Sequence, residues 1–400
     1  MLFACLAALP GVATAADGFA GPSIGPVPLE FILFGFVLHV EHEWVILVNL
    51  LLLLLGFALL AKLFEDSEVP AALPAVLPDD WKGCFVLLLL VFVLSSFLDN
   101  IAAAMIGGAM AHTLFRGKVH IGFLAAIVAA SNAGGAGSVV GDTTTTMMWI
   151  AGVAPGEVIE AYIGCGLALV IFGIPAALMQ QRYSPITKDP GAGVHIDWTS
   201  VGVVLFILAL AIVVNVAINT RFTAVADKFP FLGAAVWVAI LLGSLVRKPA
   251  WRLLPGAGKG ALFLLSLVLC ASMMPVERLP GASWQSAFAL GYVSAVFDNI
   301  PLTALAIKQG GYDWGFLAYA VGFGGSMMWF GSSAGVALSN MYPDSRDAVA
   351  WVRHGWPIIV AYAVGYLVML VSIGFHPGPE ARGHVHAASA ATASSLAPTH

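Results

Sequence analysis

Long, nearly uncharged apolar runs recur along the whole chain and constrain its fold more than any other feature. A helix that crosses a bilayer needs about 20 consecutive, mainly apolar residues. Only 10% of the 400 residues are charged, against roughly 25% in soluble domains. The runs are continuous rather than alternating, which excludes an outer-membrane barrel. The sequence therefore predicts an all-α polytopic membrane protein, from runs such as 44–61, 85–98, 161–179, 201–218, 261–274 and 358–375.

The net charge and the cysteines restrict the binding partners and cofactors that the chain could have. The formal net charge is −5, and no extended basic surface is indicated, so we expect no nucleic-acid partner. The four cysteines, Cys5, Cys84, Cys165 and Cys270, have neither metal-ligand spacing nor a disulfide framework. We therefore expect the lipid bilayer as the main partner and no resident cofactor.

The polar stretch 182–199 contains two prolines and divides the chain near its middle. It predicts a first half over 29–181, a linker over 182–199, a second half over 200–375 and a disordered tail over 376–400. Residues 1–20 leave two interpretations open, a cleaved signal or a retained first apolar segment. About 10–13 transmembrane segments are predicted, from candidates at 29–40, 44–64, 83–113, 120–138, 157–180, 199–219, 230–246, 260–275, 284–308, 313–330 and 354–375.

The charges of the loops predict which side of the membrane each loop faces. Arg116 and Lys118 follow one long segment, and a second basic cluster spans 247–259. Both should be cytoplasmic, because cytoplasmic loops carry an excess of lysine and arginine. The acidic loop 65–80 is predicted on the opposite side.

Two sequence blocks recur in the same order in the two halves. SSFLDNI at 95–101 matches SAVFDNI at 294–300, and GGAGSVVGDT at 134–143 matches GGSMMWFGSS at 324–333. Paired, often inverted, halves with interrupted helices are an architecture of secondary transporters. We therefore predict two structural repeats, inverted, with broken or re-entrant helices. Candidate backbone breaks and hinges are Gly134, Gly135, Gly141, Gly324, Gly325, Gly331 and Pro301.

Three acids, Asp99, Asp142 and Asp298, lie in apolar surroundings. An ionised aspartate at bilayer depth is costly, so it must be paired, hydrated, protonated or functional. Their neighbours are rich in hydroxyl and amide oxygens, which hard cations prefer as ligands. A carboxylate among them can also exchange the cation for a proton. The sequence predicts a site for an alkali cation at these three aspartates.

A separate polar cluster, HVEHEW, contains His39, Glu41 and His42. It is either a pH-sensing or proton-collecting group or a solvated helix end. Its spacing does not fit the HExxH zinc motif.

The stretches SNAGGAGSVVGDTTTTMMWIAG at 131–152, FLDNI at 97–101 and FDNIPLTALAI at 297–307 resemble the NhaD-type sodium/proton antiporters of the ion transporter superfamily. The resemblance covers most of the chain. It implies exchange of sodium or lithium for protons by alternating access, in a homodimer of the bacterial inner membrane. The cation and proton ligands that it implies are Asp99, Asn100, Asn132, Asp142, Thr144, Thr145, Ser294, Asp298, Asn299, Ser332 and Ser333.

Two other functions stay open at this point. The first is an anion carrier of the same superfamily, for arsenite or a dicarboxylate, although three acids favour a cation. The second is an intramembrane aspartyl enzyme, since two acids from two halves resemble a carboxylate dyad. The asparagines and the Gly/Thr blocks would have no role in such an enzyme.

Overall fold

The computed structural model describes residues 29–72, 77–186, 195–222, 228–272 and 279–378. Every regular element within these ranges is a helix, as the sequence predicts. The principal helices are α1 Leu29–Glu65, α2 Trp81–Ser95, α3 Asn100–Leu114, α4 Ile121–Ala136, α5 Thr143–Ile150, α6 Ala161–Tyr183, α7 Trp198–Arg221, α8 Phe231–Gly243, α9 Leu254–Ser272, α10 Trp284–Ser294, α11 Asn299–Gln309, α12 Trp314–Ala318, α13 Ser333–Met341 and α14 Ala348–Ser372.

Some predictions lie outside the described residues. They concern a signal or first segment over 1–20 and the tail beyond residue 378. His39, Glu41 and His42 belong to α1, but their side chains are not among those described.

Among the described residues, four helical segments are long and apolar enough to cross a membrane, namely Trp44–Glu65, Pro155–Tyr183, Trp251–Cys270 and Ala348–Ser372. Shorter apolar helices accompany them, including α2, α4 and α8. The chain is a multi-pass membrane protein, as its apolar runs predict. The spans predicted at 29–40 and 44–64 form one continuous helix, α1.

Helices α2 and α3 fold back on each other as a hairpin with residues 96–99 at its tip. Gly107 in α3 lies so close to Val91 in α2 that a methyl group there would collide with it. The ends of the hairpin opposite its tip are both hydrogen-bonded to helix α6. Gln181 donates to the carbonyl of Asp79, just before α2, and Gln180 donates to the carbonyl of Lys118, just after α3. The segment 83–113, predicted as one span, therefore begins and ends at the same side of the molecule.

Helices α10 and α11 form a second hairpin that opens at the opposite side. Gln309, at the end of α11, donates from Nε2 to the carbonyl of Pro280 just before α10, at 2.7 Å. Helix α14 runs from the open end of the first hairpin to the open end of the second, which shows that these ends lie on opposite sides. Its second turn places His354 against His120 beside the first hairpin, with ring centroids 4.8 Å apart. After its 25 residues, the N–H of His376 donates to Asp313 beside the second hairpin.

Two further segments are interrupted halfway. Helix α4 ends at Ala136, and α5 resumes at Thr143 after a loop. In the second half, α12 passes into a π-helical segment, Tyr319–Phe323, and a 3₁₀ turn, Gly325–Met327, before α13 begins. Each of these segments has its break close to a hairpin tip.

The helices divide into two bundles. The outer bundle consists of α1, α7, α8 and α9, and the site bundle contains the two hairpins, the interrupted segments, α6 and α14. Helix α8 is held on α1 by two hydrogen bonds: the N–H of Gly233 donates to Asn49 at 2.9 Å, and the indole of Trp237 donates to the carbonyl of Leu52 at 2.9 Å.

The two bundles meet differently on the two sides of the membrane. On the side of the second hairpin, α1 and α9 pack against α5 and α11 through an apolar seam, formed by Leu50, Met147, Val268, Ile300 and Ala304. On the other side, a cavity of about 720 Å³ separates the end of α1 from one face of α3. We call this cavity the α1–α3 cleft.

The acidic loop that follows α1 lies on the same side as the basic loops, so the prediction that it faces the opposite side is wrong. Asp197 donates its backbone N–H to the carbonyl of Ser67 and forms an ion pair with Arg247 at 2.8 Å. Glu65 and Thr113 line the same cleft. Acidic residues carry little weight in topology rules, which explains the error. We call this side the basic end; its described basic residues include Lys62, Lys82, Arg116, Lys118, Arg182, Arg247, Lys248, Arg252 and Arg346.

The prediction that the cysteines form no disulfide framework holds for two of the described cysteines but not for the third. Cys84 and Cys165 are free and buried. Cys270 is disulfide-bonded, which the spacing did not predict.

Replacing Gly291 by alanine tests the packing of the second hairpin against α14. The added methyl group would collide with the hydroxyl of Tyr362, which donates to the carbonyl of Phe288 at 2.8 Å. We expect a loss of about 1–3 kcal/mol of stability, as in other overpacked cores. The measurement is the melting temperature of the detergent-solubilised protein. Gly166→Ala in α6 is the control, because nothing lies within 4 Å of the added methyl group. Equal melting of the two variants would contradict this packing.

The ion pair of Asp197 with Arg247 predicts a specific pH dependence. The guanidinium, together with the hydroxyl of Ser200, holds the pKa of Asp197 well below its usual range. The unfolded value is about 3.9, so the stabilisation is present above that pH and is lost as the pH falls through the lower, folded value. Asp197→Asn should lower the melting temperature equally at pH 6 and pH 9, and the difference should shrink below about pH 4. Asp344→Asn is the control at the same end, and a deficit that grows from pH 6 to pH 9 would refute the assignment.

Candidate ion site

Asp99 and Asp298 occupy equivalent positions at the tips of the two hairpins. Each is the N-cap of the helix that follows, with φ −54°, ψ 142° at Asp99 and φ −52°, ψ 135° at Asp298. Their carboxylates accept the backbone N–H of Ile101 at 3.2 Å and of Ile300 at 3.0 Å. Such caps satisfy one of the N–H groups that a helix start leaves without a partner. The sequence pattern Asp-Asn-Ile therefore encodes the same helix start twice.

The interrupted segments also restart with matching caps. Asp142 begins α5 at φ −143°, ψ 145°, and accepts the N–H of Thr144 at 2.9 Å. Ser332 begins α13 at φ −144°, ψ 154°, and accepts the N–H of Gly335 at 3.3 Å. Four helix starts thus carry a polar cap at the breaks, three of them acidic. The acid at 142 and the serine at 332 make the two halves chemically unequal, as the sequence predicts.

A buried hydrogen-bond network joins the two halves. The amide nitrogen of Asn100 donates to Asn132 Oδ1 at 3.1 Å and to Asp142 Oδ2 at 2.9 Å. The amide nitrogen of Asn132 donates to Ser326 Oγ and Ser332 Oγ, both at 3.0 Å. Asn132 uses its oxygen toward the first half and its nitrogen toward the second. It is therefore the residue through which the halves are hydrogen-bonded at this site.

The three acids are gathered around this network. Asp142 is buried, with 2% of its surface exposed, and is close enough to interact electrostatically with both Asp99 and Asp298. Asp99 and Asp298 are half-buried. A methyl group on Gly322 of the π-helical segment would lie 3.7 Å from Asp142 Oδ2, so the second half closes directly over this carboxylate.

The described contacts give the three site acids no basic partner. None of the described ion pairs involves Asp99, Asp142 or Asp298. Among the described residues, no three His, Cys, Asp or Glu side chains are close enough to hold one metal ion together. A sodium ion in this conformation would therefore need hydroxyl, amide or carbonyl oxygens besides the carboxylates.

Three buried polar atoms near the breaks have no hydrogen-bond partner among the described residues: Ser95 Oγ, Thr144 Oγ1 and Asn299 Nδ2. A buried polar group without a partner costs about 1–3 kcal/mol, and such groups are rare in native proteins. Thr144 and Asn299 are adjacent in sequence to Thr143 and Asp298, at the starts of α5 and α11. The hydroxyl oxygen of Thr144 is available to a cation or to water, whereas the amide nitrogen of Asn299 is a donor and is available only to an acceptor such as water.

The other predicted ligands have varied surroundings. Thr145 donates its hydroxyl to the carbonyls of Ser138 and Asp142, at 2.6 and 2.9 Å, and so closes the α4–α5 loop. Ser294 donates to the carbonyl of Val321 at 2.8 Å. Ser333 is the first residue of α13 and is half-buried. These hydroxyl groups hold the loops in place as much as they line the site.

The predicted breaks lie at points of close backbone approach. A methyl group at Gly134 would collide with the carbonyl of Phe92, and one at Gly324 with the carbonyl of Gly291. Only glycine permits such an approach. Gly141 and Gly331 meet the carbonyls of Ser95 and Ala295 in the same way, and Gly135 and Gly325 meet Gly141 and Gly331.

Pro301 does not itself interrupt a helix. It lies in the first turn of α11, two residues after Asn299. There its missing N–H removes no hydrogen bond, so proline favours the helix start. A hinge role for it and for the glycines stays a prediction.

Sequence analysis missed Ser326, which accepts a hydrogen bond from Asn132 at 3.0 Å. It follows the Gly324–Gly325 pair, at the position that corresponds to Ala136 in the first half. The repeat therefore gave no reason to select it. Its only signal was a hydroxyl group between glycine and methionine in an apolar segment.

Comparisons with known proteins agree with these motifs. No family model matches the chain. It is 27% identical to Na(+)/H(+) antiporter NhaD of Vibrio parahaemolyticus, over 82% of this chain and 90% of that protein. It is 28% identical to Sodium/proton antiporter 1 of Arabidopsis thaliana over 62% of this chain. In that comparison this chain spans about half of the Arabidopsis protein, 49% of its length. The chain is thus a relative of the NhaD-type sodium/proton antiporters, which confirms the resemblance that its Asp-Asn and Gly-Asp-Thr motifs indicate.

Proposed function

We propose that this protein exchanges sodium or lithium for protons across the membrane by alternating access. The observation that carries the proposal is the position of Asp142 in one asparagine–serine network at the helix breaks, within electrostatic reach of Asp99 from its own half and of Asp298 from the other. Carboxylates within such reach repel one another, and a bound cation or proton relieves that repulsion. A site that holds one or the other, but not both, couples their movements in opposite directions.

The hydrogen bonds suggest different roles for the acids. Asp142 accepts at both oxygens, from the N–H of Thr144 and from Asn100, and these bonds offset part of the cost of burying its charge. Asp99 and Asp298 each accept one backbone N–H and are half-buried. We therefore assign proton exchange to Asp99 and Asp298, and a fixed negative charge to Asp142. Thr144, Asn299 and backbone carbonyls at the breaks complete the cation ligands.

The same contacts argue against an anion carrier. Helix N-termini attract anions because their N–H groups and dipoles are positive. Here the starts of α3, α5 and α11 are capped by the chain's own carboxylates. An arsenite or dicarboxylate ligand would gain little there, and a dicarboxylate would be repelled. The relatives that the chain resembles are named antiporters, so an aspartyl enzyme is not favoured.

Two inverted repeats are part of the proposal. The matched caps, the matched glycine contacts and the two hairpins that open on opposite sides all support them. The proposed boundaries remain 29–181 and 200–375, with 10–13 membrane segments in total. The site would then lie near the midplane, between the halves, as in other repeat transporters.

We place the protein in the bacterial inner membrane with the basic end in the cytoplasm. The described basic residues concentrate there, whereas the opposite side carries Arg221, Lys228 and Lys308. A homodimer, implied by the family, is also a proposal, and the mass of the detergent-solubilised particle tests it.

Neutralising a site acid tests the exchange function. Asp298→Asn should abolish sodium-dependent proton flux while the protein still inserts, because asparagine neither binds a proton nor balances a cation. Asp99→Asn should behave alike. The measurement is dissipation of a pH gradient by sodium, lithium and potassium in everted vesicles. Asp344→Asn is the control, an acid on the basic end away from the site. Unchanged exchange in Asp298→Asn would reject the assignment.

Asn132→Ala tests the connection between the halves. The change leaves Asn100, Ser326 and Ser332 each without one partner. We expect exchange to fall by about tenfold or more, since orphaned buried polar groups cost 1–3 kcal/mol each. Ser131→Ala is the matched control, because Ser131 donates only to the carbonyl of Val128 in its own helix, at 2.9 Å. Similar rates for the two variants would show that the network is dispensable.

A further inference from the structure

The α1–α3 cleft runs along the face of α3 that begins at Asp99. The residues of α3 that line it are Ala102, Met105, Ile106, Ala109, Met110 and Thr113. They recur every three or four positions, so they share one side of the helix. Asp99 caps the same helix, three residues before Ala102, and its position falls on the same side. The cleft therefore extends from the basic end to within one turn of a site carboxylate.

The mouth of the cleft is the polar end of α1. Lys62, Glu65, Asp66 and Glu68 line it, and Lys62 pairs with both Glu65 and Asp66 at 3.0 Å. The three acids outnumber the lysine, so the mouth keeps a net negative charge on a side that is otherwise basic. Such a charge would raise the local concentration of cations. Further in, the walls are alanine, isoleucine and methionine side chains, which bind no ion tightly.

The opposite side of the same interface is closed. There the apolar seam joins the outer bundle to α5 and α11, the helices that begin at Asp142 and Asp298. Ala304 in the seam is 7% exposed, whereas Ala109 in the cleft is exposed. An ion at the breaks could therefore leave along α3 toward the basic end. On the other side, the packed side chains of the apolar seam would block it.

We propose that the α1–α3 cleft is the water-filled route by which a small cation reaches Asp99 from the cytoplasm, and that this structure is the inward-open state with the apolar seam as its closed gate. The inference rests on the proposed function for the identity of the ion. The position of the route rests on the cleft, the shared face of α3 and the seam.

Thiol labelling of variants with one added cysteine tests the route. Of the native cysteines that the structure describes, Cys84 and Cys165 are buried and Cys270 is disulfide-bonded, and the native chain, labelled in parallel, gives the background. Ala109→Cys and Ala102→Cys place a thiol at the middle and at the inner end of the cleft. Ala104→Cys, fully buried on another face of α3, and Ala304→Cys, in the seam, are the matched controls. The reagent is a charged, membrane-impermeant methanethiosulfonate, and the readout is the mass of the protein.

We expect Ala109→Cys to gain one label in everted vesicles, whose outer face is cytoplasmic, and none in right-side-out vesicles. Labelling should abolish its sodium-dependent proton flux. Ala102→Cys should be labelled from the same side, and saturating sodium should slow its labelling relative to choline. In everted vesicles, where the reagent reaches only the cytoplasmic face, both control cysteines should stay unmodified.

Several outcomes would overturn the proposal. Reaction of Ala109→Cys only with a lipid-soluble maleimide would mean that lipid fills the cleft. Labelling from right-side-out vesicles would place the cleft on the other side of the membrane. Full exchange by the labelled variant would show that ions pass elsewhere. If the unlabelled protein exchanges no sodium, the proposed function fails, while the mass readout still decides whether the cleft is open to the cytoplasm.

Discussion

A helix that stops inside a membrane leaves backbone N–H and C=O groups where lipid cannot satisfy them, and this constraint shapes the whole molecule. Such breaks are tolerated only where protein or a polar cavity surrounds them. Here protein covers both interrupted segments. Asn132 reaches from α4 to Ser326 and Ser332, and Gly322 closes over Asp142. Aspartates at three of the four helix starts satisfy N–H groups, and in the proposed function they also supply the charge that a transported cation requires.

The glycines make this arrangement sterically feasible. The interrupted segments touch the hairpins through backbone atoms, at Gly134 against Phe92 and at Gly324 against Gly291. Close backbone contact brings carbonyl oxygens to the breaks and excludes lipid from them. The contacts that seal the breaks therefore depend on the absence of side chains at these glycines.

The outer bundle contributes the asymmetry between the two sides of the membrane. It packs against α5 and α11 through the apolar seam but leaves α3 facing a cleft. If the repeats are inverted, α3 and α11 are equivalent helices in different surroundings. Alternating access would then exchange these surroundings, with the seam forming at α3 while the cleft opens at α11. The backbone caps at both hairpin tips are equivalent already, so the site itself would need little change.

The sequence by itself determined the solvent, the helical class and most of the candidate site. Apolar runs fix a membrane environment, and the repeated Asp-Asn-Ile and Gly-Gly blocks mark the breaks, because a buried acid is costly in lipid without a purpose and glycine permits close backbone approach. Only the tertiary structure decided that 83–113 folds back as a hairpin, that the acidic loop joins the basic end, and that Ser326 completes the network. Hydropathy shows that a segment is apolar but not whether the chain crosses the membrane or turns back within it, so a re-entrant segment and a full span look alike in the sequence. Ser326 acquires its partner from a residue 194 positions away, and such a contact exists only once the two halves are packed together.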